Sequence, residues 1–246
     1  MSNNHQTPLS PSQTSNKPNA LSKMNPMMWR QARTVKKAVE MVDGLVGNMT
    51  KGAPFLEATE ATALPVFYRS EIITGKVLGE GSFSTVLEVN NIQLQGAGLS
   101  AEGEARRTEV GSRLAEDRKQ KLPPRFAIKQ IKRDLLRNSF DFGKAIADLV
   151  VEAKYLSRLD HPNILALRGL AVGGTDAFDN GRFDSFFLVM DRLNDSLDQR
   201  IETWKKRGPP DRGMIARKSN YALQIANALL YLHQRRIIYR DLKPGT

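Results

Sequence analysis

Three sets of residues in this sequence have the types and spacing to handle a phosphate. The octapeptide Ile237-Ile238-Tyr239-Arg240-Asp241-Leu242-Lys243-Pro244 sets an Asp and a Lys two residues apart in a loop that its Pro keeps out of a helix. So spaced, the carboxylate can orient a hydroxyl while the ammonium neutralises phosphate charge; an ordinary charged loop has the same composition. Gly79-Glu80-Gly81-Ser82-Phe83 carries two glycines one residue apart, which let backbone amides approach a polyphosphate with no side chain in the way. Tight hairpins use the same residues. The third set is a lysine on a strand, Lys129, and an acid on the helix that follows, Glu152.

Those side chains need elements to position them. Ile72 to Leu78 reads as a strand, and Ser84 to Val89 is again β-branched and alternating, so the glycines join two antiparallel strands. A dinucleotide-binding turn would open a helix at that point instead. In Arg125 to Ile131, Phe126, Ile128 and Gln130 face one way and Ala127, Lys129 and Ile131 the other. A lysine among such neighbours is commonly a surface residue with a buried stem.

The helix expected over Gly143 to Leu159 spaces Leu149, Glu152 and Leu156 at i, i+3 and i+7, which puts one carboxylate on the apolar stripe. An unpaired carboxylate there costs several kcal/mol or stays protonated, so Glu152 requires a cation, and Lys129 is the nearest in fold order. The competing arrangement is a helix rotated enough to expose Glu152.

Two further strands, Leu165 to Val172 and Phe186 to Met190, end at Asp191-Arg192-Leu193-Asn194-Asp195. A short helix follows over Leu197 to Trp204. A longer one over Ser219 to Arg235 aligns Ala222, Ile225, Ala226, Leu229 and Leu232, with Leu223 and Leu230 widening the stripe. A helix apolar over so much of its circumference is expected to be covered by more protein. Residues 90–124 are polar, with helix near Ala101 to Lys119. Their basic residues are interleaved with Glu104, Glu109, Glu116 and Asp117, which describes a solvated insertion better than a basic docking surface.

Composition narrows the classes. With no cysteine among 246 residues, disulfides and thiolate metal sites are excluded. The net charge of +11 is spread along a chain of mixed sign, so solvated surface is expected rather than a nucleic-acid interface. Charges interrupt every apolar run well short of a bilayer's thickness, so no transmembrane segment is expected. Residues 1–26, rich in Ser, Asn, Gln and Pro, read as a disordered arm.

Residues 27–69 form an extension with an amphipathic helix, where Met28, Ala32, Val35, Val39 and Val42 recur at helical spacing and Gly44 suits its end. That helix can dock on the domain that follows or on a membrane, docking being the commoner fate. No acid precedes Glu40, which is compatible with an organelle transit peptide, although the extreme N-terminus is not Arg-rich; a cytoplasmic location is the expectation.

Over about Ser70 to Pro244 the sequence resembles the first part of a eukaryotic protein kinase domain. Leu78-Gly79-Glu80-Gly81-Ser82-Phe83-Ser84-Thr85-Val86 resembles its Gly-rich loop, and Phe126-Ala127-Ile128-Lys129 the motif holding the phosphate-binding lysine. Glu152 sits where the family places its helix C acid, His161-Pro162-Asn163-Ile164 matches the turn after that helix, and Tyr239 to Pro244 resembles the catalytic loop.

The resemblance implies an α+β fold. A five-stranded antiparallel small lobe with helix C (70–191) would precede an incomplete, mainly helical large lobe (192–246). ATP would lie under the hairpin, its phosphates beneath Gly79, Glu80, Gly81, Ser82 and Phe83. Its adenine would sit between Leu78, Val86 and Ala127 and hydrogen-bond the backbone from Asp191 to Leu193, with Met190 guarding the rear pocket. Lys129, held by Glu152, would contact the α- and β-phosphates. Asp241 would orient the hydroxyl of a protein substrate and Lys243, which resembles the serine/threonine branch, would neutralise the transferred group.

Three positions depart from the family pattern: Ser84 replaces the third glycine, Tyr239 the usual His, and Thr246 an Asn that ligates Mg2+. The remaining Mg2+ ligands are expected downstream of Thr246, so the chain is expected to be a truncated, inactive version of an ATP-dependent serine/threonine kinase. The alternative is a non-catalytic nucleotide-binding or scaffold protein.

Overall fold

The computed structural model describes residues 26–95, 100–209 and 211–245. The arm expected over residues 1–26 falls outside them apart from Pro26, as does Thr246. The elements run α1 (Pro26–Thr50), α2 (Pro54–Ala58), β1 (Val66–Phe67), β2 (Ile72–Glu80), β3 (Ser84–Ile92), α3 (Ala101–Lys119), β4 (Phe126–Ile131), α4 (Ser139–Leu156), β5 (Leu167–Ala171), β6 (Phe187–Asp191), α5 (Leu197–Lys206) and α6 (Arg212–Gln234).

All strands join one sheet in the order β1-β5-β6-β4-β3-β2. The five longer strands are antiparallel, as expected. The sixth, β1, has two residues and runs parallel to β5. It is too short to show a period of two, which is why the sequence pattern missed it. The apolar run of β6 packs on both faces, with Phe187, Leu188 and Val189 fully buried, and β4 pairs with it from Phe126 to Gln130.

Helix α4 starts four residues before the expected Gly143 because Asn138 caps it, accepting from the amide of Phe140 at 2.9 Å. Phe142, Gly143, Ala145, Ile146, Ala147, Leu149 and Ala153 are all buried, so the helix is covered over most of its circumference. One cover is the sheet. The other is α1, whose Val35, Ala38, Val42 and Val46 are buried in the same core. Helix α1 also runs past the expected stop at Gly44. Gly44 and Gly47 sit exposed, so the helix bears roughly 1 kcal/mol for each while burying Val46 between them. The turn comes at Gly52, whose φ of +69° favours glycine.

Helix α3 has the expected bounds but is not merely solvated. Arg107, Val110, Leu114 and Asp117 form a buried stripe. Glu71, fully buried ahead of β2, accepts from Arg107 and from the amides of Tyr68 at 2.8 Å and Gln95 at 2.7 Å. The Arg107 guanidinium also lies 5.8 Å from the centre of the Phe67 ring. At the other end Asp117 accepts twice from the Arg125 guanidinium, at 2.7 and 2.5 Å, and these hydrogen bonds hold its carboxyl below the usual carboxylate range. Two acid–arginine clips therefore fasten the insertion, one to the turn ahead of β2 and one to the entry of β4.

Removing one member of the Glu71–Arg107 pair leaves a buried charge without its counterion. Arg107→Met is expected to lower the unfolding free energy by about 3–5 kcal/mol, read from the midpoint of urea denaturation. A loss below about 1 kcal/mol would mean that the pair is solvated.

Candidate functional site

The site begins with β4, because its register decides where Lys129 emerges. Lys129 pairs with Val86 of β3 on one side and Leu188 of β6 on the other, so it stands mid-sheet. Its Nζ donates to Oε2 of Glu152 at 2.5 Å. Their side chains are 24 % and 32 % exposed, so the pair is partly screened by water. The rotated-helix alternative is thereby excluded. Asp148 lies one turn earlier on α4; burial raises its pKa, Lys144 and Lys129 draw it down, and Glu152 pushes it up. The i, i+4 spacing of Asp148 and Glu152 could have identified this second acid in the sequence.

The β2–β3 hairpin carries Gly79 and Gly81. Neither has a positive φ, so the backbone conformation itself does not demand glycine there. What Gly79 provides is space: a Cβ added to it would meet nothing within 4 Å. The tip is closed by the Gly81 amide donating to Ser84 O at 2.8 Å. It is tied down by Lys132, whose amide donates to Phe83 O at 3.1 Å and whose Nζ donates to Glu80 at 3.0 Å. Lys144 of α4 lies 5.5 Å from the centre of the Phe83 ring. Ser82 is exposed at the tip.

Leu78 and Val86 pack against the core, Ala127 is buried, and Met190 is buried opposite Ala127 in the register. Beyond Met190 the connector is more engaged than its sequence suggests. Arg168 binds the Asp191 carboxylate through two hydrogen bonds, at 2.8 and 2.7 Å, which raise the guanidinium's pKa. The Asp191 amide donates to Ala166 O and the Arg192 amide to Arg125 O. Leu193 is 65 % exposed. Sequence reading missed Arg168, since nothing local in Leu167–Ala171 marks a cation with a distant partner.

The Asp241 loop leaves α6 through Arg236, which adopts a left-handed φ of 59°. Helix α6 begins at Arg212, seven residues before the expected Ser219, because Asp211 caps it by accepting from the Met214 amide at 2.6 Å. It is docked near the end of α4, where the Asp160 amide donates to the Tyr231 hydroxyl at 3.0 Å and the His161 and Tyr231 rings lie 4.8 Å apart. Its Leu223 and Leu230 are exposed.

Within the loop, Lys243 Nζ donates to both Asp241 oxygens, at 2.8 and 3.1 Å. The Asp198 amide of α5 holds the loop's end through Pro244 O at 2.9 Å. Partial burial raises the Tyr239 pKa, and so do the negative charges of Asp241 and Glu152. Two groups of residues singled out from the sequence thus assemble, Lys129 with Glu152 and Asp241 with Lys243, and Tyr239 lies within electrostatic reach of both acids. Among the described residues no three His, Cys, Asp or Glu side chains gather as a metal site; Mg2+, which takes one or two carboxylates and completes its shell with phosphate oxygens and water, does not require such a cluster. No helix of the described residues is long and apolar enough to cross a membrane.

The raised Tyr239 pKa yields a sign. The folded chain holds this proton longer than the unfolded chain, so the contribution of Tyr239 to stability declines as pH rises through the ordinary phenol range. Asp241→Asn removes one negative neighbour and is expected to lower the Tyr239 pKa. Ultraviolet difference titration against Tyr239→Phe measures it; an unchanged pKa would mean that Asp241 lies too far away to matter.

A family model described as the protein kinase domain matches residues 112–245, more than half of the chain. The matched span includes Lys129, Glu152, Met190 and Asp241 and leaves out the β2–β3 hairpin. Among curated proteins the chain is similar to serine/threonine-protein kinase STK11 of Homo sapiens, 25 % identical over 194 residues, covering 77 % of this chain and 35 % of that protein. It is 31 % identical over 118 residues to the G-type lectin S-receptor-like serine/threonine-protein kinase SD1-1 of Arabidopsis thaliana, covering 44 % of this chain and 12 % of that one. It is 32 % identical over 100 residues to the probable serine/threonine-protein kinase nek1 of Dictyostelium discoideum, covering 40 % and 18 %. The match spans about a third of the first relative and less of the other two.

Proposed function

The chain belongs to the protein kinase domain family, whose members transfer phosphoryl groups from ATP, and on that footing we propose that it carries the nucleotide-binding part of a serine/threonine-directed kinase acting on proteins. The observation that carries the proposal is the Lys129–Glu152 pair, which places a cation in mid-sheet one strand from a hairpin with open space at Gly79. The names of the relatives support the serine/threonine assignment, as does Lys243, in the loop position where that branch carries a lysine.

Bound ATP supplies the phosphoryl group; the roles that follow belong to the chain. Leu78, Val86 and Ala127 provide an apolar seat for a flat base, and Met190 closes its rear. With the Asp191 and Arg192 amides already engaged, polar recognition of the base falls on the rest of the connector, Leu193 included. The backbone from Gly79 to Phe83 covers the phosphates. Lys129 neutralises them, and Glu152 fixes the direction in which its ammonium points. Asp241 holds the substrate hydroxyl's proton, with Lys243 at hand to neutralise charge on the transferred group. No step is routed through Mg2+.

A fluorescent ATP analogue tests this directly. Lys129→Met is expected to weaken binding about tenfold, the worth of one charge-assisted contact near 1.4 kcal/mol, while Asp241→Asn leaves it within about twofold. Equal binding by wild type and Lys129→Met would remove the nucleotide site. Phosphate transfer to a serine peptide that disappears in Asp241→Asn would extend the proposal from nucleotide binding to catalysis by this chain.

A further inference from the structure

Helix α1 precedes every residue assigned to the site, yet it touches the two pieces of structure whose separation decides whether Lys129 and Glu152 meet. One is α4. A Cβ built on Gly143 would lie 3.1 Å from Ala38 O, 3.2 Å from Met41 Cε and 3.5 Å from Ala38 Cα, so the two helices cross with their backbones almost in contact. The other is the 3₁₀ segment Gly174–Asn180, which leads from β5 towards β6. It ends at Gly181, where φ is +72° and a Cβ would stand 2.8 Å from Ala32 Cβ. A side chain is excluded there both by the backbone and by α1.

Between these two contacts α1 buries Val35 and Ala38 completely. Phe142 of α4 and Phe178 of the 3₁₀ segment meet edge to face at 5.9 Å beneath it. Helix α1 therefore spans from the β5–β6 connector to α4. The connector leads into β6, and Leu188 of β6 is the register partner of Lys129; α4 carries Glu152. A brace fixed at both ends holds the distance between the strand bearing the cation and the helix bearing the acid.

We propose that α1 is an intramolecular clamp that sets the position of α4, with Ala38 and Gly143 as positioning residues for the Lys129–Glu152 pair. The pair would then form without a separate activating partner, and loosening α1 would release Glu152 while leaving the sheet intact. The proposal rests on the reading of Lys129 as the nucleotide-binding lysine only for its functional consequence. The clamp itself is a statement about two side chains.

The experiment follows that division. The full chain is given a limiting pulse of an amine-acetylating reagent, and modification of Lys129 and Lys132 is quantified by mass spectrometry. Lys132 serves as internal control, because its partner Glu80 lies on the hairpin rather than on α4. Ala38→Leu drives a wedge into the crossing. It is expected to raise Lys129 reactivity about threefold, towards the value in Glu152→Gln, as loss of a partly exposed ion pair allows, with Lys132 unchanged.

In the Glu152→Gln background the same wedge is expected to add nothing, since both changes act through one contact. An unchanged Lys129 would overturn the clamp, and so would Lys129 and Lys132 rising together, the mark of general unfolding. Where Ala38→Leu fails to fold, Gly143→Ala places a single methyl at the same crossing and is judged by the same ratio. Nucleotide binding that fails in wild type removes the proposed function without touching this readout. Binding that is intact in wild type but weakened by the wedge joins the two.

Discussion

The Lys129–Glu152 contact is the constraint on which the site depends, and its energetics decide which part of the structure holds which. A partly exposed ion pair is worth at most about 1 kcal/mol, whereas burying one large apolar side chain such as Phe142, Ile146 or Leu149 is worth about 1.5–3 kcal/mol. Several such side chains are buried on α4. The helix is therefore placed by packing, and the charges meet because packing has brought them to 2.5 Å. Any change that shifts α4 by a fraction of a helical turn costs the pair first and the fold later.

The same logic runs in the opposite sense at α3. Its stripe offers only Val110 and Leu114 to the core, too little apolar surface to fix a 19-residue helix. The arginine clips at its two ends supply register instead. A guanidinium bonded to Glu71, with two backbone amides satisfying the same carboxylate, admits one position along the helix and no sliding. Buried ion pairs add little net stability because both partners lose their water. What they add here is a defined placement for an insertion that packing alone would leave loose.

This contrast explains what could be read from the amino-acid order. Lys129 and Glu152 were legible because each sits in an element with a clear period, and the hairpin because the β-branched residues after Gly81 rule out a helix. The bounds of α3 were legible too, but its burial was not, since half its buried stripe is charged and the partners Glu71 and Arg125 lie in other elements. Helix α1 was read too short because Gly44 and Gly47 face solvent, where a glycine weakens a helix without ending it. Arg168 and β1 carried no local signal. Each depends on a partner fixed only by the folded sheet.

The loop of Asp241 meets the rest of the site at Tyr239, and the choice of a phenol there has a physical consequence. A partly buried neutral side chain within electrostatic reach of Asp241 and Glu152 is driven by burial first, and then by both anions, to keep its proton. An imidazole in the same place would be driven by the same two charges to take one up, and as a cation near neutral pH it would compete for the Asp241 carboxylate. With Tyr239 neutral, position 239 adds no rival cation, and Lys243, bonded to both Asp241 oxygens, keeps that role. The carboxylate then stands 70 % exposed with an exposed ammonium beside it, an arrangement that leaves it accessible from solvent.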